Sequence, residues 1–307
     1  MISDATVKLV KYPPERIPDS WFGNVPAAAE VTPAILDLKR FAPYIAILTD
    51  IQLTANPLAE IRGRYDDVRI VENTAAMLSA QIGAWRLPAL KYLSYNFFGN
   101  PPGVTPYTTH YSLWAFPPTV AHKLLYGITL TAAEKELAEK LGIFNSVEKG
   151  ILPLPLSQQI EREYHVMGEE THARSVNIAV AATTYTIEGI YPRTDEFIVL
   201  TRLAANPGTA GQNIQLIVDR DNDANFASFA TFPLSLVAGG EVQCFIPAIK
   251  EIRLTTTATV APIPPAHLFR YTYRRIKMTN ILRVRFGLVT RDEVPADLWE
   301  KVQAGVL

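Results

Sequence analysis

The stretch 195–260 limits the fold more than any other part of the chain. It contains apolar runs at 197–200, 213–219, 226–232, 242–246 and 252–260, with a turn-forming segment in each gap. In the last run Ile252, Leu254, Thr256, Ala258 and Val260 alternate with Arg253, Thr255, Thr257 and Thr259. A period of two with β-branched residues on both sides is the pattern of a half-buried strand, not of a helix. The gaps hold Asn206-Pro207-Gly208, Asp221-Asn222-Asp223 and Gly239-Gly240, all suited to turn backbones. This region is predicted to be an antiparallel β-domain.

Size and charge bound the remainder. A chain of 307 residues, 48% hydrophobic, can bury one large core or two modest ones. A net charge of −1 gives no global attraction to nucleic acid or to an anionic membrane. The single cysteine, Cys244, excludes an intramolecular disulfide framework and reads as a small buried apolar residue. No window approaches the ~18 apolar residues that a membrane helix needs, and residues 1–12 lack the apolar core of a signal peptide.

Before the β-domain the expectations are different. Residues 1–60 carry Pro13, Pro14, Pro18, Pro26, Pro33, Pro43 and Pro57 among scattered apolar side chains, which predicts an extended arm docked either on its own subunit or on a neighbour. Residues 61–175 are expected to be mostly helical and irregular. They include a helix over 75–85, a capping-box helix at 132–141 (Thr131 and Glu134, with Gly142 after it) and a further helix over 157–174. The β-domain is expected over 176–291 and a short helix or tail over 292–307. Tyr92, Tyr95, Tyr107, Tyr111, Trp114 and Phe116 form an aromatic stretch that reads as a lid over a core or as a ligand platform.

Three constellations bear on chemistry. On a helix over 157–174, Glu161, His165, Glu169 and His172 would share a face, but the second Glu-x-x-His of a bundle metal site is missing. The run Asp219 to Asp223 starts like a calcium loop and then has Ala224 and Ala230 where glycine and glutamate are required, so it reads as a polar hairpin. The tract 270–291 holds Arg270, Arg274, Arg275, Lys277, Arg283, Arg285 and Arg291 with no acidic residue. Read as strands, it would put Arg270 and Arg274, and then Arg283 and Arg285, on sheet faces. Such faces can meet phosphate, an acidic neighbour, or this chain's own Asp195, Glu196 and Asp219. Walker, nucleophile-elbow, dinucleotide and His-Glu-x-x-His motifs are all absent. No cofactor is expected.

The fold class expected is α+β: a helical region with a proline-rich N-terminal arm, followed by an eight-stranded antiparallel sandwich. The strands are placed around 183–191, 197–203, 213–219, 226–233, 242–247, 251–260, 267–276 and 281–290, jelly-roll in type if the connections are Greek keys. Strands 197–203 and 251–260 together with the proline arm resemble, in architecture, virion structural proteins of bacteriophages and related particles. That resemblance implies a non-enzymatic capsid, decoration or tail component found in the virion, or in host cytoplasm before assembly. Its partners would be copies of itself and other virion proteins. A carbohydrate- or receptor-binding sandwich is the alternative and a metalloenzyme the third reading; nucleic acid is possible as a partner but not favoured.

Overall fold

The computed structural model describes residues 15–25, 30–37, 45–54, 60–65, 68–74, 87–89, 92–98, 105–116, 119–154, 158, 164–205, 214–221, 223–230, 241–258 and 266–307. Strands β1 (Glu15–Val25), β2 (Glu30–Asp37), β3 (Ile45–Thr54), β4 (Glu60–Tyr65), β5 (Val68–Thr74), β6 (Leu87–Ala89), β7 (Tyr92–Phe98) and β8 (Thr105–Phe116) come first. Three short helices follow: α1 (Val120–Leu125), α2 (Ala132–Lys140) and α3 (Ile143–Glu148). Then come β9 (Val166–Asn177), β10 (Tyr185–Ile190), β11 (Glu196–Ala205), β12 (Ile214–Arg220), β13 (Asp223–Ala230), β14 (Glu241–Ala248), β15 (Ile252–Ala258) and β16 (Ala266–Lys277). Helices α4 (Asn280–Arg285) and α5 (Ala296–Ala304) end the chain.

The strand order repeats. One sheet of the second set runs β14-β11-β16-β9 and the other β10-β15-β12-β13. The first set runs β6-β3-β8-β1 and β2-β7-β4-β5, which is the same pair of orders shifted by eight strands. Every pairing is antiparallel. The halves meet where β1 pairs with β14 at Arg16 and Phe245, which makes the two four-stranded sheets one sheet of eight.

In the second half the two sheets form a sandwich. Ile187 and Ile190 (β10), Leu216 and Val218 (β12), and Ile252 and Leu254 (β15) meet Ile198 and Leu200 (β11), Cys244 and Ile246 (β14), and Phe269 and Tyr271 (β16) in one buried cluster. Phe197, Ile198, Val199 and Leu200 are all 0% exposed, so β11 is covered on both faces. Ile198 and Leu200 enter the sandwich core, while Phe197 and Val199 pack with Tyr164, Ile276, Leu282 and Phe286. Cys244 is buried, as its strand position implied, and its thiol donates to the Leu200 carbonyl at 3.3 Å.

The helices make a separate small core from Val120, Ala121, Leu130, Ala138, Ile143, Leu152 and Ala304. The capping box of α2 forms as expected: the Thr131 hydroxyl accepts from the Glu134 N–H and the Glu134 carboxylate from the Thr131 N–H. Helix α5 docks through Lys140–Glu300, at 2.6 Å, and through Gly305. That glycine has φ +80°, and a Cβ there would stand 2.1 Å from Thr119 Oγ1, so no other residue fits both backbone and space.

The structure departs from the sequence expectations in several places. Residues 15–54, expected as an extended arm, hold β1, β2 and β3; residues 60–116, expected mostly helical, hold β4–β8. The helix expected over 75–85 lies outside the described residues. Prolines were read as breaks, yet Pro33 sits in the edge strand β2, where the ladder shifts register between Val31 and Ala34, and Pro88 sits in the edge strand β6. Residues 166–174, expected at the end of a helix, lie in β9, so the second strand set starts earlier than 176. The strand expected over 281–290 is helix α4, capped by the Thr279 hydroxyl and anchored by Leu282 and Phe286 one turn apart.

Candidate interaction surface

The outer face of the sheet β14-β11-β16-β9 has two ends. At one, α4 lays Leu282 and Phe286 over Phe197, Val199 and Ile276. At the other the face is polar. Register sets its rows: Arg270 lies beside Ala204 and Ala173, Thr272 beside Arg202 and Thr171, and Arg274 beside Glu169. A bulge between Leu200 and Arg202 lets β11 change from a doubly buried strand to one that presents Arg202 outward.

Ion pairs join these rows. Glu169 accepts from Arg274 at 2.6 Å and from Arg202 at 3.1 Å, and Arg202 Nε reaches Glu241 at 3.3 Å. The hydrogen bond from Arg274 is the main reason the Glu169 carboxyl lies below its ordinary pKa. Thr171 and Thr272 share a hydroxyl hydrogen bond of 3.0 Å. Between them lies a shallow cleft of about 130 Å³ lined by Thr171, Arg202, Leu203, Ala204, Glu241, Arg270 and Thr272.

The inner side of the β9 edge carries a second network. The His172 ring stacks on Tyr271 and Tyr273, with centroids 5.5 and 5.7 Å away. Glu170 accepts from the Tyr273 hydroxyl and from Arg275 at 2.7 Å, with His172 Nε2 at 3.3 Å. The tyrosine hydroxyl and then the guanidinium hold its carboxyl down to about 2. Tyr271 donates to Glu188 at 3.0 Å, and Arg174 lies 2.8 Å from the same carboxylate. Burial first, and then that carboxylate, push the Tyr271 hydroxyl well above its ordinary value. Arg275 also contacts Glu196 at 3.3 Å. The arrangement ties β9 and β10 to β16 by charge-assisted bonds at the rim of the apolar core.

The four arginines predicted as an interaction surface therefore do not share one face. Arg270 and Arg274 lie on the outer face of β16. Arg283 and Arg285 lie in α4, where Arg283 pairs with Asp195 at 2.8 Å and Arg285 donates to the Leu307 carbonyl at 2.7 Å. The Glu161, His165, Glu169 and His172 face does not form. Glu161 lies outside the described residues, and on β9 residues 169 and 172 point to opposite sides. Among the described residues no group of His, Cys, Asp or Glu is placed to hold a metal ion.

The acidic run at 219–223 is the hairpin turn between β12 and β13, as expected. The role of Asp221 was not foreseen. It adopts φ 49°, is 7% exposed, and its carboxylate accepts from the backbone N–H groups of Ile249, Lys250 and Glu251 at 3.1, 2.6 and 3.0 Å. An acid in the turn between two apolar runs was the available signal. The aromatic stretch 92–116 supplies β7 and β8, and its side chains lie outside the described residues.

No family model matches the chain, and no curated protein sequence matches it. Among solved structures, a chain of the Sulfolobus turreted icosahedral virus particle is 10% identical over 86% of this chain and 60% of its own, with a TM-score of 0.27. An archaeal virus structure with a triple jelly-roll fold and turret assembly is 11% identical over 83% and 59%, TM-score 0.27. The major capsid protein of the same Sulfolobus virus is 9% identical over 86% and 97%, TM-score 0.24. The chain thus spans about three fifths of the first two. No helix among the described residues is long and apolar enough to cross a membrane.

Proposed function

We propose that this chain is a self-assembling structural protein of a virus-like particle, built from two jelly rolls in tandem. The observation that carries the reading is the strand order. Each set of eight splits into two sheets, and consecutive strands cross between the sheets in the same sequence: first, second, first, second, second, first, second, first. That is the wrapping of an eight-stranded double-sheet jelly roll, an architecture used by viral capsids, lectins and cupins.

Two further observations favour the coat over the other two uses. The interior of the second sandwich is filled with aliphatic and aromatic side chains, so it serves as a packed core. The two rolls are also continuous through β1 and β14, which makes the tandem one building block with a single long sheet. Assembly would bury polar surface and sheet edges between copies and stabilise each subunit by mass action. The role is non-enzymatic, its partners are other copies and other virion proteins, and its place is the virion. Light scattering coupled to size-exclusion chromatography tests this: species of many protomers growing with concentration are expected, and a strict monomer at high concentration would overturn the reading.

A further inference from the structure

Among the described residues, the polar end of the outer sheet face holds an arginine with no acidic partner. Arg274 and Arg202 share Glu169, Arg202 also takes Glu241, Arg275 takes Glu170 and Glu196, and Arg283 takes Asp195. The Arg270 side chain is exposed and, among the described residues, has neither a hydrogen bond nor an ion pair. It lines the same cleft as Arg202, Thr171 and Thr272. Counting Arg202, Arg270 and Arg274 against Glu169 and Glu241, three positive and two negative groups leave a net +1 at this end of the face.

The chemistry around the cleft selects its ligand. A guanidinium is a planar fork of donors that matches a carboxylate or phosphate in bidentate fashion. In the Thr171–Thr272 pair one hydroxyl accepts from the other, and its own proton remains to donate. The cleft, at about 130 Å³, admits one oxyanion group, where an organic ligand needs roughly 300–1,000 Å³. Glu169 and Glu241 stand on the same face and repel every phosphate of a strand laid along it, whereas a single carboxylate meets that repulsion only once and is offset by the Arg270 charge.

We infer that this cleft receives an acidic side chain from a second copy of the chain, with Arg270 as its ion-pair partner. The inference rests on the assembly reading above and names one contact within it. Charge fits as well: the whole chain carries 30 acidic against 29 basic residues, so a neighbour offers carboxylates in number.

The experiment compares the parent chain with Arg270→Glu and Arg270→Gln, reading associated mass by light scattering across a sodium chloride series and folding by circular dichroism. Both variants are expected to keep the parent melting curve, since the Arg270 side chain has no partner among the described residues. Association should weaken by about tenfold or more in Arg270→Glu, less in Arg270→Gln, with a flatter salt dependence in both. Undiminished association of Arg270→Glu would overturn the inference and leave the assembly reading standing; a parent that never associates overturns both. Salt-sensitive binding of a 20-base-pair DNA duplex by the parent, lost in Arg270→Glu, would make phosphate the occupant and also overturn it.

Discussion

Replacing Asp221 by alanine tests how the second jelly roll is held at one end. Its carboxylate is the common acceptor for the N–H groups of Ile249, Lys250 and Glu251, which form the turn between β14 and β15. Each such bond contributes about 1 kcal/mol net, and more when the acceptor is charged. Residues 249–251 are half-buried or exposed, so water recovers part of the loss, and about 3 kcal/mol remains for the three. Residue 221 also has φ 49°, a left-handed conformation that aspartate and asparagine tolerate and alanine adopts at a further cost of about 1 kcal/mol. The total is about 4 kcal/mol, which for a unit of this size lowers the melting temperature by at least about 10 °C. Asp221→Asn keeps one acceptor and the backbone preference, and should lose less than half as much. Thermal unfolding by circular dichroism reads both variants. An Asp221→Ala protein melting within about 2 °C of the parent would refute the clamp.

Leu254 is 1% exposed in the sandwich core. Leu254→Asp should abolish cooperative unfolding, because an unpaired charge there costs as much as the fold's whole margin; a soluble variant with a sharp melt would contradict this. His122 is buried with its ring 3.0 Å from the Thr119 hydroxyl, and burial, aided by the positive Arg285, lowers its pKa from 6.5 to about 4. The unfolded chain takes up a proton that the folded chain refuses, so stability is lost as pH falls from 6.5 to 4, by roughly 3 kcal/mol. Urea midpoints at pH 7, 5.5 and 4.5 should fall for the parent and flatten for His122→Gln; parallel curves would sink the assignment.

The sandwich was legible where burial alternates. Strands β12 and β15 show the apolar period of two, and the Asp221 turn directly follows β12. Strand β9 was not legible, because it is an edge strand whose partly buried positions are Gly168, Glu170, His172 and Val176. Glu170 and His172 sit against tyrosines and an arginine, and the sequence around them spaces charges as a helix would. Helix α4 failed the other way: Leu282, Val284 and Phe286 alternate, but a Thr279 cap and a one-turn anchor decided the backbone. In the first half the prolines of β2 and β6 hid edge strands. At the surface, Arg270 and Arg274 could be assigned to one face, but Arg274 meets Glu169 across 105 positions, a pairing fixed by strand order. Strand order is a property of distant contacts, and local pattern carries little of it.

The proposed repeating coat unit of two jelly rolls in one chain has a direct test. Cryo-electron microscopy of the purified chain at rising concentration tests it most directly. Ordered shells or sheets are expected, with a repeating protomer of two adjacent β-sandwich lobes joined along one sheet. Isolated protomers at every concentration, or a protomer with a single lobe, would contradict it.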